Sequence, residues 1–187
     1  MWHKIQHERL STHIFYSAHR FYSAGGYWRF GPTRHLVRKP QPQPVTIGAD
    51  RNPPPDASLP LLQNSRAELA LDAYRGQPLL VNFFASWCAP CRAEAPALEH
   101  LSNQISAIGI AYKDRPQDTL QFLEQYGNPF VAIGRDDDGR AGMAWGVYGV
   151  PETYLIDPSG QIKWRHAGPL TRDVITTQLL AKLAEMQ

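Results

Sequence analysis

The chain has 187 residues, 43% of them hydrophobic, which suits one well-filled core with an appendage and is short for two full domains. Its formal charge of +2 hides an asymmetry, because residues 1–39 hold seven Lys and Arg against the single acid Glu8, leaving 12 basic and 16 acidic residues in the remainder, a net of −4. A mildly acidic folded part argues against a nucleic-acid surface, and two cysteines three positions apart argue against a structural disulfide framework, since so short a loop removes little unfolded-chain entropy.

The first 39 residues mix Trp2, Phe15, Tyr16, Phe21, Tyr22, Tyr27, Trp28 and Phe30 with five histidines and scattered arginines, without a helix or strand period, and read as a poorly ordered tail. Their acid-poor, Arg-containing composition resembles a transit peptide weakly, and an ordinary extension or a mis-assigned start fits as well. No stretch of the first 45 residues approaches the roughly 18 consecutive apolar residues of a membrane span. The best apolar stretch, His13–Ala18, is too short and interrupted for a secretory signal. Pro40, Pro42 and Pro44 alternate with Gln41 and Gln43, and Pro53–Pro55 follow, which predicts extended linker. The expected division is a tail and linker over residues 1–43 and one folded domain over 44–187.

Leu79–Ala85 is a continuous apolar run of strand length, as a strand covered on both faces requires. The cysteines follow directly, and Cys91–Leu101 predicts a helix kinked at Pro96, where a backbone hydrogen bond is missing. Ser106–Tyr112 predicts the next strand, then a helix with Asp114 as N-cap, Pro116 in its first turn and an end at Tyr126 before Gly127. Thr153–Ile156 and Ile162–Trp164 flank Asp157-Pro158-Ser159-Gly160, whose proline and glycine suit a type I turn, so a hairpin is expected. Val174–Glu185 closes the chain as an amphipathic helix. This order predicts an α/β domain with a central mixed sheet and helices on its faces.

Trp87-Cys88-Ala89-Pro90-Cys91 stands between a buried-type strand and a helix, and that context gives the CxxC its meaning. Unpaired N–H groups and the dipole at a helix N-terminus stabilise an anion, which lowers the pKa of the first thiol. Cys88 is the expected exposed nucleophile, and Cys91, one turn further in, the more buried resolving thiol. Pro90 suits a first helical turn and discourages helical angles at Ala89. Half of a zinc site is the competing explanation, but it needs two more ligands, and His100 and His166 form no ligand pair; no metal is assigned.

The strand, the WCxPC motif and the helix containing Pro96 resemble thioredoxin, and Phe84–Glu94 (FASWCAPCRAE) is similar to the membrane-anchored periplasmic thioredoxins of the TlpA and ResA kind. Tyr112-Lys113-Asp114, Gly127-Asn128-Pro129-Phe130, Gly146–Thr153 (GVYGVPET) and Arg165-His166-Ala167-Gly168 narrow the resemblance to the DsbE (CcmG) type of cytochrome c maturation, over about Leu59 to Leu170. The resemblance implies a thioredoxin-like fold and a protein-disulfide reductase without a cofactor. The substrate it implies is apocytochrome c or a partner thiol carrier, with re-reduction by a transmembrane donor of the CcdA or DsbD kind. It implies a periplasmic location and a membrane anchor, although no anchor is visible in the sequence. Reduction rather than oxidation also rests on the resemblance, because CxxC proteins with similar motifs span about −270 to −120 mV.

The expected substrate groove is formed by Trp87, Pro90, Val150, Pro151 and Glu152, with the roles of Val150 and Pro151 implied by the same resemblance. Pro151 would be cis and lie against the CxxC, leaving the backbone of Val150 free to pair with a substrate strand. An X-Pro bond is seldom cis, and the chain has 16 prolines, so the sequence by itself does not select Pro151. Glu94 has two readings: an acid complementing the helix dipole from an exposed position, or, by resemblance, a carboxylate that tunes proton transfer at the thiols. Glu152 is a polar rim of the groove or simply exposed. Trp145 and Tyr148 line the groove or fill the core. Asp136-Asp137-Asp138-Gly139 lacks calcium-loop spacing and reads as a solvated turn. A rival function from a different class is a binding module that holds apocytochrome c or an assembly factor without thiol turnover.

Overall fold

Strand β3 (Leu79–Phe84) is buried at every position and forms the axis of the domain. The computed structural model describes residues 54–55 and 58–186; the tail, the linker and the expected domain start at 44 lie outside the described residues. Pro54 and Pro55, expected as free linker, are half-buried and line a cleft with Leu71 and Tyr74.

Parallel to β3 runs β4 (Ser106–Tyr112), and parallel to β4 runs β5 (Ala132–Asp136). On the other side β6 (Glu152–Ile156) pairs antiparallel with β3, and β7 (Ile162–Ala167) antiparallel with β6. The order β5-β4-β3-β6-β7 is the mixed sheet expected of a thioredoxin-like fold. A two-stranded ribbon, β1 (Leu59–Pro60) with β2 (Glu68–Leu69), lies N-terminal to this sheet in sequence and bridges to β5 through Leu61 and Gly134.

Side chains alternate across β3, so its apolar run feeds two cores. Leu80 and Phe84 face α1 (Ala89–Leu101), α2 (Pro116–Tyr126) and the terminal helix, and pack with Leu98, Phe122, Phe130, Leu155 and Leu179. Leu79, Val81 and Phe83 face the other way, toward Trp145 of α3 (Arg140–Trp145), Tyr154 and Ile156. The terminal helix runs as α4 (Arg172–Val174), a π-helical turn at Ile175–Leu179 and α5 (Leu180–Ala184), close to the expected Val174–Glu185.

Strand β5 and helix α3 have no counterpart in the sequence expectations. Gly134, Arg135 and Asp136 dilute the apolar signal of β5, and α3 is a six-residue helix between Gly139 and Gly146, both left-handed. Asp136 is not part of a solvated turn: it is buried, and its carboxylate accepts from the N–H groups of Ala141 (3.0 Å) and Gly142 (2.8 Å), satisfying the start of α3. Asp137 and Asp138 are exposed as expected. The N-cap of α2 is Arg115 rather than Asp114, and α1 begins at Ala89, two residues before the expected Cys91. The hairpin turn forms as anticipated, with the Gly160 N–H donating to the Asp157 carbonyl at 2.8 Å.

Candidate active site

The C-terminal end of β3 leads through Ala85–Trp87 into Cys88, which has extended angles and caps α1. Its Sγ accepts from the N–H of Cys91 at 3.1 Å, filling one of the donor positions a helix leaves open at its start. Cys88 and Cys91 are joined in a disulfide with their Cα atoms 5.3 Å apart. Pro90 lies exposed in the first turn, where its missing N–H costs nothing, and Ala89 is helical despite the proline after it.

The turn before Cys88 is tied from two sides. Asp114 is buried, and its carboxylate accepts from the N–H (2.7 Å) and hydroxyl (2.8 Å) of Ser86, from Arg115 N–H (3.0 Å) and from the Thr119 hydroxyl (2.9 Å). Those bonds explain why Asp114 is not simply a cap: it staples the β4–α2 corner to the cysteine turn. Arg92 donates to the Ser86 carbonyl at 3.1 Å, and the Trp87 indole donates to the Lys113 carbonyl at 3.2 Å while 57% of the residue stays exposed.

Val150 and Pro151 form the opposite wall. The peptide bond between them is cis, and the Val150 carbonyl oxygen lies 3.4 Å from Cys88 Sγ. That approach is a contact, because a disulfide sulfur carries no proton to donate. Cys88 was expected to be exposed, but it is 3% exposed against 2% for Cys91, since its sulfur is enclosed between the helix start, Val150 and the core below.

Behind Cys91, one helical turn on, Glu94 points inward and is 1% exposed. Its Oε1 accepts from Asn82 Nδ2 (3.1 Å) and its Oε2 from the N–H of Leu170 (2.8 Å); Asn82 Nδ2 also donates to the Thr153 hydroxyl (3.0 Å). Burial pushes the Glu94 carboxyl up from 4.5 to about 7, against the two hydrogen bonds, which favour the ionised form. Glu94, Asn82 and Cys91 line one cavity of about 10 Å³ closed by Phe84, Phe122 and Phe130. The exposed, dipole-complementing position considered for Glu94 is thereby overturned.

Glu152 requires a correction as well. It neither rims the groove nor faces solvent: its residue is fully buried on the α3 side of the sheet, ion-paired with Arg165 and accepting from the Tyr154 hydroxyl at 2.9 Å. Alternation along β6 dictates this, because Thr153 takes the face toward α1 and leaves Glu152 and Tyr154 on the other. Trp145 fills the core, whereas Tyr148 is 91% exposed beside Val150 in sequence. Asn82 has no role in the sequence expectations, and Arg165 enters them only as part of the Arg165–Gly168 motif, without a place in the site. Asn82 carried a usable signal, as the lone polar residue in a run that reads as buried on both faces.

The profile of the Redoxin family matches residues 49–180. Over 137 residues the chain is 42% identical to the thiol:disulfide interchange protein DsbE of Xylella fastidiosa, covering 72% of this chain and 70% of that protein. It is 46% identical over 114 residues to the thiol:disulfide interchange protein HelX of Rhodobacter capsulatus, covering 60% and 65%. Among solved structures, a DsbE-type thiol:disulfide interchange protein from Chlorobium tepidum superimposes with a TM-score of 0.62 at 26% identity, over 71% of this chain and 96% of that one.

Proposed function

We propose, from the premise that this chain belongs to the Redoxin family as a thiol:disulfide interchange protein of the DsbE type, that it reduces disulfides of apocytochrome c or of an assembly partner in the periplasm. The observation that carries the chemistry is Cys88 capping α1 with its sulfur 3.1 Å from the Cys91 N–H. In the reduced protein a thiolate at that position receives a charge-assisted hydrogen bond and the favourable end of the helix dipole.

The reaction runs as two exchanges. Cys88 thiolate attacks one sulfur of the substrate disulfide, forming a mixed disulfide and releasing the other substrate sulfur as a thiolate that takes up a proton. Cys91 gives its proton to the Glu94 carboxylate and attacks Cys88 Sγ, releasing the second substrate sulfur as a thiolate that takes up a proton and leaving the Cys88–Cys91 disulfide. Two electrons pass to the substrate, and a transmembrane dithiol donor of the CcdA or DsbD kind must return them. Trp87, Pro90, Val150 and Pro151 border the sulfur and form the groove for the substrate chain, which pairs with the Val150 backbone as an added strand. The site needs no cofactor for these steps.

Complementation tests this reading. In a bacterium lacking its own DsbE, the wild-type domain exported to the periplasm restores heme-bound c-type cytochromes and Cys88→Ala does not. Full rescue by Cys88→Ala would instead favour a binding module that does not turn over thiols. Fractionation of the native host tests the compartment.

A further inference from the structure

We propose that Arg165 is a positioning residue for protein substrates: through one buried ion pair with Glu152 it fixes both ends of the Gly146–Pro151 segment that forms the groove wall over Cys88. This inference rests on the disulfide-exchange reading of the same site.

The pair sits where the fold would ordinarily place apolar side chains. Its neighbours on that face of the sheet are Phe83, Trp145, Tyr154 and Ile156, all nearly inaccessible, and the Arg165 side chain is itself only 9% exposed. Moving two charges into such a layer is costly, and a well-packed apolar pair would hold the layer at least as firmly. The retained charges therefore point to geometry rather than stability.

That geometry is directed at the groove segment. Arg165 Nε meets Glu152 Oε1, and its second arm donates to the Gly146 carbonyl at 2.6 Å. Glu152 Oε1 also accepts from the Tyr154 hydroxyl, which lies 3.0 Å from the Trp145 carbonyl. Gly146, which caps the end of α3, is thus held by the guanidinium that also meets Glu152. Glu152 directly follows Pro151, so the same carboxylate anchors the far end of the segment covalently. Between the anchors Val147 is buried and its N–H donates to the Gly142 carbonyl at 2.8 Å, and only Tyr148 and Gly149 stand off the body: Tyr148 is 91% exposed, and a Cβ built on Gly149 would meet nothing within 4 Å. The Tyr148 ring rests over the guanidinium of Arg165 at 5.6 Å, which links the exposed middle of the segment to the same strut. Val150, whose carbonyl stands 3.4 Å from Cys88 Sγ, takes its position from these anchors.

Arg165→Lys tests the proposal, because lysine keeps a positive charge opposite Glu152 but lacks the planar fork that reaches Glu152 and Gly146 together. The probes are insulin, whose disulfides must be presented on a polypeptide, and 5,5′-dithiobis(2-nitrobenzoate), which reaches Cys88 without a groove. The expected result is a loss of about tenfold or more in kcat/KM for insulin, carried by KM, since small misplacements of a binding element have effects of that size. The rate with the small disulfide stays near wild type, and amide hydrogen exchange of Val147, whose N–H donates to the Gly142 carbonyl, accelerates while β3 and β4 keep their protection. Unchanged insulin kinetics, or equal losses with both disulfides, would overturn the proposal. If Arg165→Lys does not fold, Glu152→Gln with Arg165→Gln removes both charges without leaving one unpaired in the core, and the same criteria apply. A wild-type protein inactive toward both disulfides would sink the exchange reading itself, and the hydrogen-exchange comparison would still decide whether Arg165 holds the segment.

Discussion

Replacing Glu94 by Gln removes the buried carboxyl that shares a cavity with Cys91, and the structure gives the sign and size of the result. Burial holds this carboxyl at about 7, whereas in the unfolded chain it titrates near 4.5. Between those values the unfolded chain releases a proton that the folded protein retains. Stability from this group is therefore fully present below about pH 4.5 and is lost as pH rises through about 7. The displacement corresponds to about 3 kcal/mol at roughly 1.4 kcal/mol per pH unit, most of it falling between pH 5 and 8.

Urea unfolding of the oxidised wild type and Glu94→Gln, measured at steps across that range, reads the effect as a difference. Taking the difference matters because His166, whose pKa burial lowers, changes stability in the opposite sense and is common to both proteins. The expected outcome is a wild-type stability that declines relative to the variant by about 3 kcal/mol from pH 4.5 to 8. The offset between the curves absorbs whatever Gln loses at Leu170 N–H and Asn82, so only the slope is diagnostic. Parallel curves would refute the burial of an ionisable carboxyl at this position.

In the reduced protein, Cys88 should alkylate with an apparent pKa below the roughly 8.5 of a free thiol and well before Cys91; mass spectrometry of partly labelled protein gives the order, and the reverse would remove the assignment of roles. Asp114→Ala strips three backbone and hydroxyl donors of their acceptor, two of them on Ser86 in the cysteine turn, while the Thr119 hydroxyl keeps the Arg115 carbonyl at 3.2 Å, and should cost about 2–3 kcal/mol in urea unfolding together with a slower insulin reduction. Gly109→Ala places a Cβ 2.8 Å from the rings of both Phe84 and Phe130, so it should destabilise by about 1–3 kcal/mol, with a thermal melt as the check.

Elements that carry a long or repetitive signal were legible in the sequence. β4 was delimited to the residue, and β3, α2, the hairpin and the cysteine helix were found within a few positions. The failures share one cause, which is that side-chain destination is not a local property. Asp114 looks like a helix cap and Asp136 like part of a solvated turn, yet each carboxylate turns inward, Asp114 to bind the cysteine turn and Asp136 to bind the start of α3. Glu152 looks like a groove rim because it follows Pro151, but strand alternation and the cation on β7 opposite decide its face. Glu94 shows the limit most plainly: its spacing from Cys91 was visible, while its burial depends on Asn82 and on Leu170, 76 positions away.

The proposed reaction needs its two sulfurs to behave differently, and the surroundings of α1 push them apart. Cys88 lies at the helix start, where the dipole and the Cys91 N–H favour a negative charge. Cys91 shares its cavity with Glu94, so a thiolate there would form beside a group that is itself becoming an anion near pH 7. Below that pH Glu94 holds its proton and cannot take one from Cys91; above it the ionised carboxylate accepts that proton as the thiol attacks. Release of the mixed disulfide should therefore accelerate as pH rises through about 7 while the first attack follows the lower pKa of Cys88. Trapping the mixed disulfide with a single-turnover substrate at pH 6 and pH 8 separates the two steps. In Glu94→Gln the pH dependence of release should disappear, and its persistence would mean that the proton leaves Cys91 by another route.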